Sequence, residues 1–276
     1  MKDLHAKTAV VTGAAEGIGR ALALDFARRG MNVVLADRRA EPLGAAAREV
    51  AALGVETLAR PTDVSRREEV LALAEATHAR FGPAHVLCNN AGVTLGGGLE
   101  RIGSEEWAWV LGINLWGVIH GLEAFLPAMI EADAGGHVVN TASMAGVIAS
   151  KGMGVYNTSK YAVVGLSETL ARDLRPYGIG VSVLCPLGVA TGIRANSARD
   201  RPPAGRPDAA AALPELVGRR IPPEAVSRMV LQAIDEGDLY VFTHPEALEY
   251  VERRFARMRA ALEKRARADG ARDPTA

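Results

Sequence analysis

Cysteine is almost missing from this sequence: the chain holds two, Cys88 and Cys185. Each closes a short apolar run, so each reads as the end of a buried strand. A single bridge between them is open in principle, but two buried, reduced thiols in a cytoplasmic protein is the favoured reading. Net charge is missing too, because 32 Lys+Arg balance 32 Asp+Glu. With no global basic field, neither nucleic acid nor anionic lipid is expected as a partner. A near-neutral surface tends to associate, which favours a homo-oligomer. The opening residues, Met1-Lys2-Asp3-Leu4-His5, lack the layout of a secretory signal and run directly into an apolar strand pattern. No metal site is expected. Residues 107–130 are apolar enough to suggest a membrane span, yet Asn114, His120, Glu123 and Pro127 interrupt them. Polar groups at those places would be costly in lipid, so the segment reads as a buried core or interface helix.

What the chain does have is alternation. Apolar strand candidates at 7–12, 32–36, 55–60, 85–89, 137–141, 180–185 and 239–243 alternate with amphipathic helix candidates. The helices fall near 17–29, 40–53, 66–81, 104–131, 154–176, 223–236 and 246–267. Strand–helix alternation implies right-handed crossovers and a parallel sheet with helices on both faces. The fold class expected is therefore α/β, one domain over 276 residues. Residues 1–100 form mainly a cofactor-binding half and 101–191 a catalytic half. In such sheets ligands lie beyond the carboxyl ends of the strands. The proline-rich stretch 192–222 breaks the rhythm and reads as a flap over the site, with a short helix near Ala209–Val217. From 245 to 276 the chain reads as a carboxyl-terminal helix and tail. Its stripe of Leu248, Val251, Phe255, Met258 and Leu262 packs on the body or a partner subunit, with fraying from about Ala268.

The first strand runs into Thr12-Gly13-Ala14-Ala15-Glu16-Gly17-Ile18-Gly19. Glycines there allow a tight turn and let the backbone approach a pyrophosphate at a helix N-terminus. The spacing is G-x-x-x-G-x-G rather than G-x-G-x-x-G, so alone it is a weak signal. Asp37 ends the second strand, 24 residues after Gly13, where an acidic residue holds ribose hydroxyls. Its carboxylate and that of Glu16 would repel a 2′-phosphate, which favours NAD over NADP. Arg38 and Arg39 pull the other way, because an arginine can clamp phosphate.

The fifth helix carries Tyr156-Asn157-Thr158-Ser159-Lys160, with Tyr156 and Lys160 at i and i+4 on one face. A phenol near pKa 10 is a poor base at neutral pH. A neighbouring ammonium, helped by an oxidised nicotinamide, is expected to lower it so that the phenol exchanges a proton with an alcohol. Ser143, thirteen residues earlier and just past a strand, can hold the substrate oxygen. Asn114 needs partners within its apolar helix and is expected to position a water linking Lys160 to solvent.

Taken together, these segments resemble the short-chain dehydrogenase/reductase family over roughly residues 5–245. The matching residues are TGAAEGIG (12–19), Asp37, Asp63-Val64, NNAG (89–92), Asn114, Ser143, YNTSK (156–160) and PLGVAT (186–191). The resemblance implies a Rossmann-like domain with a seven-stranded parallel sheet and an Asn114–Ser143–Tyr156–Lys160 tetrad. It implies that Asp63 and Val64 meet the adenine, and that Asn90, within Asn90-Ala91-Gly92, steadies the central strand and cofactor. Lys160 is further expected to hold the nicotinamide ribose, and Val189 and Thr191 the carboxamide, with Pro186 also binding the cofactor. Tetramers or dimers joined through the helices at 104–131 and 154–176 follow from the same resemblance. One departure is Leu187, where the family has glycine after the proline. The carboxyl-terminal part is loosely similar to bacterial members acting on bulky secondary alcohols, the Cα-dehydrogenases of lignin-derived aryl ethers among them.

The function expected is hydride transfer between NAD and a bulky, hydrophobic secondary alcohol or ketone. An NADPH-dependent ketoreductase is the alternative. A nucleotide-binding regulator without turnover is disfavoured because the tyrosine, lysine and serine are all present. Substrate walls are expected from Thr94–Leu99 and Met144–Gly154, with Leu95, Ser143, Met144, Met153, Tyr156 and Leu187 in contact. The flap arginines Arg194, Arg199, Arg201 and Arg206 keep an anionic substrate open.

Overall fold

Val10 and Val11 are adjacent and wholly buried, yet they belong to different cores. Successive strand side chains point to opposite faces, so a strand buried on both faces must be covered by helices on both. The computed structural model, which describes residues 3–203 and 219–270, meets that requirement. The strands are β1 (Thr8–Thr12), β2 (Asn32–Asp37), β3 (Thr57–Pro61), β4 (Val86–Asn89), β5 (Gly136–Thr141), β6 (Ile179–Cys185) and β7 (Tyr240–Phe242). They form one parallel sheet in the order β3-β2-β1-β4-β5-β6-β7. The order reverses between β1 and β4, and the crevice beyond their carboxyl ends is where such sheets bind ligands.

Helices α1 (Gly17–Arg28) and α2 (Ala40–Ala51) cover one face together with α8 (Pro223–Glu236). Phe26 of α1 is wholly buried there against Val11, Leu35 and Val230. The other face carries α3 (Arg67–Phe81), α4 (Ser104–Leu111), α5 (Gly117–Glu131) and α6 (Gly154–Asp173). Phe125 of α5 anchors that core against Val10, Leu87 and Val138. The seven-stranded, single-domain expectation therefore holds, with strand ends shifted by one or two residues.

The segment Ser104–Glu131 is long and apolar enough, by length and composition, to cross a membrane. Here it lies along the sheet with Val110, Val118, Phe125 and Met129 buried. It is not one regular helix. A π-turn over Gly112–Trp116 joins α4 to α5, and it contains Asn114, which is 1% exposed. An inserted residue of this kind re-aims side chains and frequently marks a functional site. The polar interruptions are accounted for. The Nδ1–H of His120 donates to the carbonyl of Val64, and Glu123 pairs with Arg67.

The stretch 192–222 departs from expectation. It contains a helix, α7 (Ile193–Asp200), that apolar periodicity does not reveal, because IRANSARD carries almost no apolar stripe and is held by polar contacts instead. The helix expected near Ala209–Val217 and the residue Arg206 lie outside the described residues, as does the chain after 270. The carboxyl-terminal helix α9 (Leu248–Gly270) forms as expected, but within one chain its stripe meets the body mainly through Val251. Leu248, Phe255, Met258 and Leu262 stay exposed.

Candidate active site

The turn after β1 is shaped by glycine. Gly13 has φ +65, and a Cβ there would lie 2.9 Å from the Cα of Ala91. A Cβ on Gly19 would meet the Gly13 carbonyl oxygen at 2.1 Å. The chain between them leads into α1, whose N-terminus receives no side-chain cap, so its first N–H groups face an open cavity. Uncapped N–H groups and the positive end of a helix dipole suit a pyrophosphate. Asn90 ties three strands together at this point. Its Nδ2 donates to the Thr12 carbonyl (3.0 Å), its backbone N–H donates to Thr12 Oγ1 (2.9 Å), and its Oδ1 accepts from Thr141 Oγ1 (3.2 Å).

A cavity of about 380 Å³ runs from this turn to the first two turns of α6. Gly13, Glu16, Gly17, Ile18, Asp37, Arg38, Asp63, Val64, Asn90, Ala91 and Gly92 line it, as do Pro186, Val189 and Thr191. Gly19 supports the turn from behind rather than lining it. Asp37 is 8% exposed; its Oδ2 accepts from the Ala15 N–H at 3.3 Å and its Oδ1 from the Arg39 N–H at 3.0 Å. Arg39 also bridges Asp37 and Glu16 through its guanidinium, both at 3.3 Å. Asp63 turns its Oδ1 onto Ser65, which fixes the loop that presents Val64.

At the opposite end of the cavity stand Ser143, Tyr156 and Lys160. Lys160 is 3% exposed; its Nζ donates to the Thr141 carbonyl at 2.8 Å and lies 5.7 Å from the centre of the Tyr156 ring. Burial brings the Lys160 ammonium down to about 8. It also pushes the Tyr156 phenol above its ordinary value, while a hydrogen bond with Ser143 acts in the opposite sense. The lowering expected from Lys160 together with an oxidised nicotinamide is not present in the cofactor-free protein, where desolvation outweighs the Ser143 hydrogen bond. Ser143 Oγ donates to the Pro186 carbonyl at 3.3 Å and accepts from the Ala145 N–H at 3.1 Å.

Asn114 is close by, but its amide is committed. Its Oδ1 accepts from the Val93 N–H (2.8 Å), and its Nδ2 donates to the Val93 carbonyl (3.0 Å) and Ser159 Oγ (3.1 Å). Its side chain therefore anchors the β4 exit loop. Of the expected substrate contacts, Ser143, Tyr156 and Leu187 line the cavity. Leu95, Met144 and Met153 do not. Leu95 turns under α4 with Val110 and Val155, and Met144 packs against Val163 and Val183. Met153 caps α6, and its backbone bridges Gly97. Val93 and Ile113 form apolar wall in their place.

Two groups went unnoticed in the sequence. The first is α7, which brings Asn196 and Asp200 to the cavity. The second is Thr243-His244, just past β7. The Leu187 N–H donates to Thr243 Oγ1 at 3.4 Å, and Thr243 contacts His244 Nδ1 at 2.7 Å. His244 Nε2 meets the Arg219 carbonyl at 2.9 Å. A carbonyl only accepts, so Nε2 carries the proton and Nδ1 accepts from the Thr243 hydroxyl. Thr243→Val removes both of these bonds from the loop that carries Leu187. It should lower the melting temperature by roughly 2–4 °C for about 1 kcal/mol lost. In a scanning calorimetry comparison, an unchanged melting temperature would mean that the relay is not structural.

The fold and cavity define a dinucleotide-binding oxidoreductase: a parallel α/β sheet with a glycine turn, a carboxylate at the end of the second strand and a Ser/Tyr/Lys cluster in one crevice. A family profile described as short chain dehydrogenase matches residues 7–202, and the chain belongs to that family, the short-chain dehydrogenases/reductases. It is 33% identical to a C alpha-dehydrogenase of Sphingobium sp. strain SYK-6 over 263 residues, covering 92% of this chain and 86% of that protein. It is 34% identical to the 1-deoxy-11-beta-hydroxypentalenate dehydrogenase of Streptomyces exfoliatus, covering 88% of this chain and 85% of that one. The crystal structure of a short-chain dehydrogenase/reductase from Burkholderia phymatum in complex with NAD superposes with a TM-score of 0.86. The two share 40% identity over 95% of this chain and 97% of that one.

Proposed function

We propose that the chain is an NAD-dependent dehydrogenase that oxidises a bulky, hydrophobic secondary alcohol to its ketone, with Tyr156 as the general base. The observation that carries this reading is the convergence of Ser143, Tyr156 and Lys160 on one end of a cavity whose other end is the glycine turn and Asp37. NAD, when bound, supplies the hydride acceptor and, in its oxidised form, a positive charge. Gly13, Gly17 and the N-terminus of α1 would hold its pyrophosphate, and Asp37 the adenosine ribose. Asp63 and Val64 would meet the adenine, and Val189 and Thr191 the nicotinamide end. Ser143 donates to the substrate oxygen, fixing the hydroxyl against the phenol. Tyr156, as phenolate, takes the alcohol proton as the carbinol hydride leaves and becomes the neutral phenol. Lys160 keeps a cation behind the ring and stabilises the phenolate that has to form before that transfer.

The apolar wall of Val93, Ile113 and Leu187 supports a hydrophobic substrate, as does the hydroxypentalenate named for the Streptomyces relative. Two free, buried cysteines support a reducing, cytoplasmic setting. Exposed Trp116 on the π-turn, with the apolar stripe of α9, supports a homo-oligomer. The test is a panel of aryl, alicyclic and sugar secondary alcohols with NAD, followed by nicotinamide absorbance. Aryl or alicyclic alcohols are expected to exceed sugars in kcat/KM by at least about tenfold. A preference for sugars would sink the substrate assignment and leave the family untouched.

A further inference from the structure

The adenosine end of the cavity contains an interaction that spans 162 residues of sequence. Arg38, directly after the ribose carboxylate Asp37, forms an ion pair with Asp200 at the end of α7. An arginine beside that carboxylate is the natural clamp for a 2′-phosphate. Here the arginines of this corner are both engaged: Arg39 bridges Asp37 and Glu16, and Arg38 meets Asp200. Asp200 is itself well placed. Its side chain is 16% exposed and also accepts two bonds from Arg199, at 3.0 and 3.1 Å. Burial alone would raise its carboxyl, but the hydrogen bonds and charges of Arg199 and Arg38 hold it below its ordinary value.

We propose that Asp200 is a determinant of cofactor choice: by holding Arg38 it occupies the clamp and adds a third carboxylate to the corner that a 2′-phosphate would enter. This rests on the reading of the cavity as an NAD site. The flap helix then does more than cover the site, since its last residue takes part in selecting the dinucleotide. Removing this carboxylate should not release α7. The helix keeps the bonds from Asn196 to Glu16, from the Thr94 N–H to Ser197 Oγ at 2.9 Å, and from Arg201 to the buried Glu106.

The test is isothermal titration calorimetry of the full cofactor-free chain with NAD and with NADP. The variants are Asp200→Asn, Asp200→Glu and Asp200→Asn/Arg38→Ala. Asp200→Asn frees Arg38 and should tighten NADP by about tenfold, with NAD changing by less than about twofold. Asp200→Glu should behave as the parent. The double variant should lose the gain. Three outcomes overturn the proposal: unchanged NADP affinity in Asp200→Asn, equal weakening of both dinucleotides, or a gain that survives Arg38→Ala. If Asp200→Asn does not fold, the comparison rests on Asp200→Glu with Arg38→Ala in the parent, where retained rejection of NADP by both supports the proposal and relaxed rejection by Asp200→Glu opposes it. A parent that binds NADP more tightly than NAD defeats the NAD reading itself, which is a separate result.

Discussion

Tyr156→Phe is expected to lower kcat/KM for alcohol oxidation by about a thousandfold while NAD affinity stays within about twofold. The substitution removes one oxygen. The ring keeps its place on α6, and Lys160 keeps its bond to the Thr141 carbonyl at 2.8 Å. What is lost is the acceptor for the alcohol proton, an interaction made only as the reaction proceeds, so kcat falls with kcat/KM. In the cofactor-free protein the Tyr156 phenol sits above its ordinary value, because burial outweighs the hydrogen bond with Ser143. The parent should therefore show no phenolate absorbance at neutral pH without cofactor. Phenolate should appear on adding oxidised NAD, which brings the missing positive charge, and Tyr156→Phe should abolish that signal. Turnover by the phenylalanine variant within about tenfold of the parent would remove the phenol from the mechanism.

How much of this was legible in the sequence differs between the two ends of the cavity. The strands could be read because each is a short apolar run between turn signals, and the parallel order follows from the helices between them. Once the strands are located, chemistry just past their ends follows: Gly13 after β1, Asp37 at the end of β2, Asn90 after β4, Ser143 after β5. Residues whose role depends on a non-local approach were not legible. Asp200 sits in an Arg- and Pro-rich stretch with no periodicity, and only the folding of α7 back to the end of β2 brings it to Arg38. Leu95 and Met144 flank catalytic positions and have the right chemistry for a pocket wall. Their backbones turn the side chains into the core, a direction that composition does not reveal. The direction of the Tyr156 shift in the cofactor-free protein is not legible for a related reason: spacing shows that a lysine is near, but the desolvation that raises the phenol depends on the whole surrounding fold.

The same desolvation gives the last prediction, which concerns Lys160. Its ammonium is 3% exposed and brought by burial down to about 8, so at neutral pH the protein holds a buried charge that it would be more stable without. Lys160→Met keeps a side chain of similar length and removes the charge. Against this, the Thr141 carbonyl loses a donor, a cost of about 1 kcal/mol. The relieved desolvation is on the order of a few kcal/mol, so the charge wins. The cofactor-free variant should melt higher than the parent at pH 7 by roughly 2–6 °C, while turnover falls by at least about a thousandfold. The effect also has a sign in pH. Between about 8 and the ordinary lysine value of 10.5 the native parent has released the proton that its unfolded chain retains. Over that window the unfolded state binds more protons, so the parent gains stability as pH rises. The advantage of Lys160→Met should therefore be largest below pH 8 and shrink above it. A variant that melts lower than the parent at neutral pH, or a gap that widens in alkali, would mean that the Lys160 charge is stabilised where it lies.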